Sequence, residues 1–252
     1  MNALRRERLR EYLRENGAAT IRELSAEFPE VSLMTIHRDL DALEAEGCVL
    51  KMRGGARYIA EAPRSEAAFT IRAVENMAAK EHIAAIAAEY IHEGMSVFID
   101  AGTTGVTLAR SVPNLPINIF TTAPNVALTV SEKPDTFVNL CGGLLNRRNM
   151  SLSGPNSLEY FDRVNLDIAF MVASGFTQKA GFTCGKETEA QVKTRVIARA
   201  QKVVMLMDSS KFGKVLPFTF AEPDDIDIFI SNASFDGDFT SIMGEHGVQT
   251  LY

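Results

Sequence analysis

Asp100, Gly102, Thr103 and Thr104 fall in the run Val97-Phe-Ile-Asp-Ala-Gly-Thr-Thr-Gly-Val-Thr-Leu108, whose residue types have the chemistry of an anion site. Val97, Phe98 and Ile99 predict a buried strand, Asp100 closes it, and a small polar turn leads into a helix expected to begin near Val106. The N–H groups of such a turn and the positive end of the helix dipole, about half a charge, converge on one spot. Thr103 and Thr104 add hydroxyl donors, while Gly102 and Gly105 would let the backbone come close to a ligand. The same run also fits a capped strand–helix junction that binds nothing.

Four further runs carry small or hydroxylated residues where apolar stretches end. They are Thr121-Thr-Ala-Pro-Asn125 (with Thr122 and Asn125), Cys141-Gly142-Gly143, Ala173-Ser-Gly175, and Asp208-Ser-Ser-Lys-Phe-Gly213. Lys211 in the last supplies a counter-charge beside Asp208. Five such ends predict a shallow polar pocket for a small anionic ligand. An enzymatic pocket would recruit Asp100, Glu187, Glu189 and Lys211 as acid–base groups. None of the histidines, at 37, 82, 92 and 246, falls at an expected strand end, and the lack of G-x-G-x-x-G weakens a dinucleotide reading.

The elements that must position these residues follow an alternating pattern. Strands are expected at 97–100, 117–121, 137–141, 168–173, 203–207 and 226–231. Helical stretches are expected at 106–111, 125–131, 158–161, 187–200 and 239–245, and a long helix at 69–91 that could bridge domains or subunits. Several strands are continuous apolar runs, as in a parallel sheet covered on both faces. Alternation of this kind implies a Rossmann-like α/β sheet, with its ligand at the carboxyl ends of the strands.

Upstream the pattern changes. A first amphipathic helix ends at Gly17, and Thr20-Ile-Arg-Glu23 is a capping box opening a second. Ser32 caps a third, which Gly47 stops, with Leu33, Ile36, Leu40 and Leu43 as its apolar stripe. Met34, Thr35, Arg38 and Asp41 point away from that stripe; Ser32 and Thr35 at the front suit a helix entering the DNA major groove. Two short strands around Gly54-Gly55 follow, carrying Lys51, Arg53 and Arg57 without an acid, apt for phosphates beside the groove. Three helices and a two-stranded wing make a winged helix-turn-helix. The expected division is 1–60 for this DNA-binding domain, 61–78 for a linker and the start of the connecting helix, and 79–252 for the α/β domain.

The 252 residues suffice for two unequal domains, and 46% hydrophobic with 23% charged residues excludes wholesale disorder. No apolar run is long enough to span a bilayer, and the start MNALRRERLREYL lacks a signal peptide's apolar segment. Net charge is −6, yet residues 1–64 carry eleven basic and eleven acidic groups. DNA binding must therefore use a local positive face rather than bulk charge. Cys48, Cys141 and Cys184 are widely spaced without C-x-x-C, which fits reduced thiols in a cytoplasm and offers no metal framework; no cofactor is expected.

The run Ser32-Leu-Met-Thr-Ile-His-Arg-Asp-Leu40, with Leu43-Glu44, Gly47 and Arg53-Gly-Gly-Ala56, resembles the N-terminal signature of the DeoR family of bacterial transcriptional regulators. His37 stands where that family usually has Arg. Asp100-x-Gly-Thr-Thr104, Gly142-Gly143, Asp167-Ile-Ala-Phe170, Gly181-x-Thr183, Glu189 with Val192-Lys193, and Asp208-Ser-Ser-Lys-Phe-Gly213 resemble the family's sensor domain, similar in fold to ribose-5-phosphate isomerase. The resemblance implies a cytoplasmic repressor of sugar or nucleoside catabolism genes, a homodimer or homotetramer bound to double-stranded operator DNA. It implies a phosphorylated sugar as effector, adds Glu189 and Lys193 to the effector-binding residues, and adds His37 to the DNA-facing ones. The rival is a sugar-phosphate isomerase or deaminase-like enzyme fused to a DNA-binding domain.

Overall fold

The computed structural model describes residues 2–45, 49–52, 54–58, 69–234 and 237–252. Gly47, Arg53 and the joint at 61–66 lie outside the described residues. Contacts divide the chain into two units, Met1–Ile71 and Arg72–Tyr252.

The first unit runs α1 (Asn2–Asn16), β1 (Ala18–Thr20), α2 (Ile21–Glu27), α3 (Leu33–Ala45), β2 (Val49–Met52) and β3 (Gly55–Tyr58). Thr20 and Glu23 form the expected capping box reciprocally, side chain to backbone in both directions. Leu13, Leu24, Phe28, Ile36, Leu40 and Leu43 are packed into one core. Leu33 is not part of it: the side chain is 56% exposed, one residue into α3, where the helix has not yet reached the core. The wing has a third strand that the sequence pattern does not predict. β1 pairs antiparallel with β3, giving the order β1-β3-β2. Three residues of Ala-Ala-Thr carry no strand signal of their own; the pairing alone makes them one.

The second unit contains α4 (Phe69–Val74, its first residues shared with the preceding unit), α5 (Met77–Ala88), β4 (Ser96–Ile99), α6 (Thr103–Ser111), β5 (Asn118–Thr121), α7 (Pro124–Val130) and β6 (Phe137–Leu140). It continues through β7 (Leu144–Asn146), β8 (Ser151–Ser153), α8 (Pro155–Asp162), β9 (Ile168–Val172), β10 (Gly175–Thr177), β11 (Gly181–Cys184) and α9 (Glu187–Ile197). The last elements are β12 (Val203–Leu206), β13 (Phe218–Ala221), β14 (Ile228–Ile230), α10 (Gly237–Glu245) and β15 (Gln249–Leu251).

Seven strands form one sheet in the order β15-β14-β12-β9-β4-β5-β6. All six pairings in it are parallel. The chain leaves β4 toward β5 and β6, then returns to the other side of β4 to lay down β9, β12, β14 and β15. The topological switch point, where such sheets take ligands at the carboxyl edge, is therefore between β4 and β9. Phe98, Ala169, Met171, Val203 and Met205 carry the core into Phe176, Phe182, Phe229 and Phe239, a cluster of edge-on and tilted rings.

Three expectations need correction. The helix at 69–91 is two helices, broken at Glu75 and Asn76; Asn76 sits at φ +50, where Asn is among the tolerated residues. The helix after Asp100 begins at Thr103, not near Val106, with Gly102 at its cap position. The 173–175 run does not simply end a parallel strand: Gly175 opens β10 in a small antiparallel sheet, β10-β11-β13. A Cβ at Gly175 would lie 2.4 Å from the Lys214 carbonyl oxygen, so the passing strap by itself requires a small residue there.

Candidate functional site

In the first unit, α3 presents its outer face free of the core. Ser32, Met34, His37 and Arg38 are exposed, Met34 to 82%, and Thr35 is half-buried. The Ser32 hydroxyl accepts the Thr35 N–H at 3.3 Å, which caps the helix and fixes where its front begins. On the inner face, buried Asp39 takes a two-pronged bond from Arg5, Nε to Oδ2 at 2.5 Å and Nη2 to Oδ1 at 3.1 Å. That clamp sets the rotation of α3 against α1, and so aims Arg38 and Met34 outward. Of the wing cations, Arg57 is exposed, while Lys51 is ion-paired to Asp41 and donates its backbone N–H to Glu44 at 2.7 Å. Lys51 is thus a partly neutralised cation that ties the wing to α3.

In the second unit the switch point holds a buried polar centre. Asp100 leaves the end of β4 and accepts from the Ala101 N–H at 2.7 Å and the Val172 N–H at 3.0 Å. Lys193 of α9 donates to the same carboxylate and to the Val172 carbonyl at 2.8 Å. Glu189, one helical turn earlier, faces Lys193 at 3.5 Å and accepts from Asn149 at 2.7 Å. Asn149 in turn accepts the Ser151 hydroxyl at 2.8 Å. Burial alone lowers the Lys193 pKa, but Asp100 and Glu189 outweigh it and hold the ammonium charged above the ordinary lysine range. One Lys between two carboxylates leaves the cluster one negative charge in excess.

Asp100, Thr122, Glu189 and Lys193 line one enclosed cavity with Phe98, Ser151, Leu152 and Val192. Its volume is about 10 Å³, room for a single water and far too small for a sugar phosphate. The open, shallow pocket expected from the five runs is absent from this centre. Residues 101–109, including Gly102, Thr103 and Thr104, are all buried. A Cβ on Gly105 would fall 2.1 Å from the Asp100 carbonyl oxygen, so the strand–helix junction itself requires this glycine.

Asn125 lies at the start of α7; its oxygen accepts the Val126 N–H, and its buried Nδ2 has no hydrogen-bond partner among the described residues. Gly142 and Gly143 are exposed beyond β6, two strands from β4. Asp208 and Lys211 follow β12, two strands from β4 on the other side. The Asp208 carboxylate is engaged by its own turn, accepting from the Ser210 N–H at 3.1 Å, and by Asn76 at 3.3 Å. Burial lowers the Lys211 pKa against the opposing pull of Asp208, with Lys214 and Arg72 adding repulsion.

Sequence reasoning missed Asn149, Ser151, Arg72, Asn76 and Lys80. Asn76 also bonds Ser210 at 3.0 Å, and Arg72 donates to the Arg148 carbonyl at 3.4 Å. Buried Lys80 donates to the carbonyls of Arg72 and Glu75, closing the end of α4. The elbow between α4 and α5 is thereby bonded both to the turn after β12 and to the turn between β7 and β8. None of these residues lies in a small-residue strand end or in the motifs that carry the family resemblance, the two signals by which the others were found.

Residues 5–62 match the DeoR-like helix-turn-helix domain and residues 75–233 the DeoR C terminal sensor domain. The chain belongs to the DeoR family. It is a DNA-binding transcriptional regulator. It is 34% identical to the HTH-type transcriptional regulator GlpR of Haloferax volcanii over 250 residues, covering 99% of this chain and 97% of that one. It is 28% identical to the glycerol-3-phosphate regulon repressor of Escherichia coli, covering 95% and 94%, and 27% identical to the transcriptional repressor GlcR of Bacillus subtilis, covering 96% and 92%. Among solved structures, ribose 5-phosphate isomerase A of Methanocaldococcus jannaschii aligns over 53% of each chain at 19% identity, with a TM-score of 0.39. The α/β fold of the sensor domain rests on its own sheet topology. Among the described residues no helix is long and apolar enough to cross a membrane.

Proposed function

We propose that this DeoR-family regulator is a cytoplasmic, homo-oligomeric repressor whose grip on operator DNA is set by a phosphorylated sugar at the switch point of the sensor domain, and that it has no enzymatic turnover. The observation that carries this reading is the closed polar centre. Both Asp100 oxygens and both Glu189 oxygens are engaged by Lys193, Asn149 and backbone N–H groups. Each carboxylate is committed to an ammonium, an amide or backbone N–H groups, an arrangement that holds charge and offers polar groups to exchange with the hydroxyls of an entering ligand. The regulator names of the relatives favour binding over turnover.

The closure also supplies a reason for coupling. With about 10 Å³ enclosed, a sugar phosphate enters only if an element around the centre shifts. The β7–β8 hairpin is bonded to the centre through Asn149, and the α4–α5 elbow is bonded in turn to that hairpin through Arg72 and to the turn after β12 through Asn76. Among the described residues α4 is the next element along the chain after the wing. A shift of the elbow is therefore the event by which occupancy reaches the DNA-binding unit. Phosphate would meet the N–H groups opening α6, Thr103 and Thr104, and the Lys211 ammonium. The unpartnered Asn125 amide, Thr122 and the Glu189–Asn149 pair would face sugar hydroxyls. The names of two relatives, a glycerol-3-phosphate regulon repressor and a putative aga operon repressor, favour a phosphorylated polyol or sugar.

A thermal-shift screen with glycerol 3-phosphate, fructose 1-phosphate, fructose 6-phosphate, glucosamine 6-phosphate and their unphosphorylated parents tests this, repeated with the regulator's own promoter fragment. One phosphorylated compound should raise Tm and change DNA affinity, while its parent does neither. Equal shifts from phosphorylated and parent compounds, or steady turnover of any of them, would overturn the reading.

A further inference from the structure

β6 is an open edge of the seven-stranded sheet, and its sequence Phe-Val-Asn-Leu carries no charge, proline or bulge to guard it. Natural edge strands are ordinarily blunted by such devices, because unpaired N–H and C=O groups template another strand. The Phe137 and Cys141 N–H groups donate to the Ile117 and Thr121 carbonyls on the β5 side. In a parallel ladder the alternate residues, Val138 and Leu140, then turn their backbone groups outward.

The surface around this edge is apolar. Seven large hydrophobic side chains are exposed among the described residues of the second unit, and five lie here: Leu128, Phe137, Leu140, Leu144 and Leu145. Phe137 is 66% and Leu144 80% exposed; Leu128 is on α7, which packs against β6. Their exposed surface sums to roughly 500 Å² per chain, with Phe137 and Leu140 flanking the edge from opposite faces of β6. Two copies would cover about 1,000 Å², the lower limit for a stable biological interface.

We propose that the β6 edge is the self-association surface of the regulator, pairing antiparallel with the β6 edge of a second copy about a two-fold axis at Asn139. A second copy fits for three reasons. Antiparallel pairing about Asn139 sets Val138 opposite Leu140, so the outward backbone groups of each strand satisfy those of the other. Exposed Glu132 and Asp135, with half-buried Lys133 between them bonded to the Arg110 carbonyl, precede β6, and exposed Arg147 and Arg148 follow in the β7–β8 turn, so antiparallel pairing sets an end of net negative charge in one copy toward an end of positive charge in the other. A chain with one recognition helix also needs a two-fold partner to read two half-sites. The choice of occupant rests on the oligomeric operator-binding reading; the surface itself does not depend on the effector.

Sedimentation velocity on the full chain tests it. The parent should sediment as a dimer or larger even-numbered assembly. Phe137→Asp with Leu140→Lys should weaken self-association by at least tenfold. Val138→Pro, which removes an outward N–H and spares the bonds to β5, should do the same with an unchanged far-ultraviolet spectrum. Asn139→Cys, opposite its own copy, should give a disulfide-linked dimer under mild oxidation that the parent does not. An oligomer that survives both sets of edge substitutions, with no cross-link in the Asn139→Cys variant, would sink this surface and leave the oligomeric reading intact; a monomeric parent would sink both.

Discussion

Lys193 is the residue on which the sensor centre depends, since it bonds Asp100 and faces Glu189. Lys193→Met keeps an apolar stem near Phe220 but takes the ammonium away from buried Asp100 and Glu189. The loss should be about 3–5 kcal/mol in urea unfolding of the sensor transition. Its pH dependence has a defined sign. A lysine pKa raised in the folded state stabilises fully below the unfolded value of 10.5 and loses that contribution as pH climbs above it. The stability gap between parent and Lys193→Met should therefore narrow in strong alkali, where Lys193 loses its proton. Lys211 has the opposite character: burial lowers its pKa, so its charge is held at a cost until an anion arrives. Lys211→Met should keep or modestly raise Tm while abolishing the sugar-phosphate response. A lower Tm with a retained response would remove Lys211 from the site.

At the scale of elements, α3 and the α4–α5 elbow make separable predictions. Arg38→Ala should weaken operator binding by about 1–3 kcal/mol and relax base preference, measured by fluorescence anisotropy on operator variants. Arg57→Ala should weaken all sequences alike and reduce the salt slope by about 1. Leu33, outside the core and 56% exposed beside Met34, is available to the same face, and Leu33→Ala should weaken operator binding if it meets a thymine methyl, measured in the same anisotropy assay. Asn76→Gly keeps the left-handed elbow backbone but removes the bonds to Asp208 and Ser210. Operator affinity without effector should change little and the effector response by several-fold; an unaltered response would clear the elbow of a coupling role. The helices and central strands were legible in the sequence because each has its own periodicity or apolar run. The elbow break, β1 and the β10-β11-β13 sheet were not, because three-residue strands and a single left-handed Asn are set by their partners.

For the whole molecule, effector and operator are linked through one free energy, typically about 1–3 kcal/mol for such regulators. Linkage is reciprocal, so saturating operator DNA should shift the apparent Kd of the active sugar phosphate by the same factor, about 5- to 150-fold, that the sugar phosphate shifts operator affinity. Calorimetry in the presence and absence of DNA checks this, and unequal factors would mean that more than one equilibrium is involved. The net charge of −6 makes operator binding depend on the local face of α3 and the wing. Binding should therefore be lost more steeply with added salt than with a change of pH between 7 and 8.

The sequence alone determined what is encoded locally: the capping box at Thr20, the recognition-helix periodicity, the buried strands, and the acid–Gly–Thr–Thr run after β4. These signals lie within a few residues of one another, so no distant partner is needed to read them. Only the tertiary structure decided which charges meet. Asp100 and Lys193 are 93 positions apart, and Asn149 and Glu189 are 40 apart. Their pairing exists because β4 and β9 flank the switch point while α9 and the β7–β8 hairpin close over it. That closure turned an expected open pocket into a filled polar centre. A long-range ion pair leaves no periodic trace in the chain, and only the fold brings its two halves together.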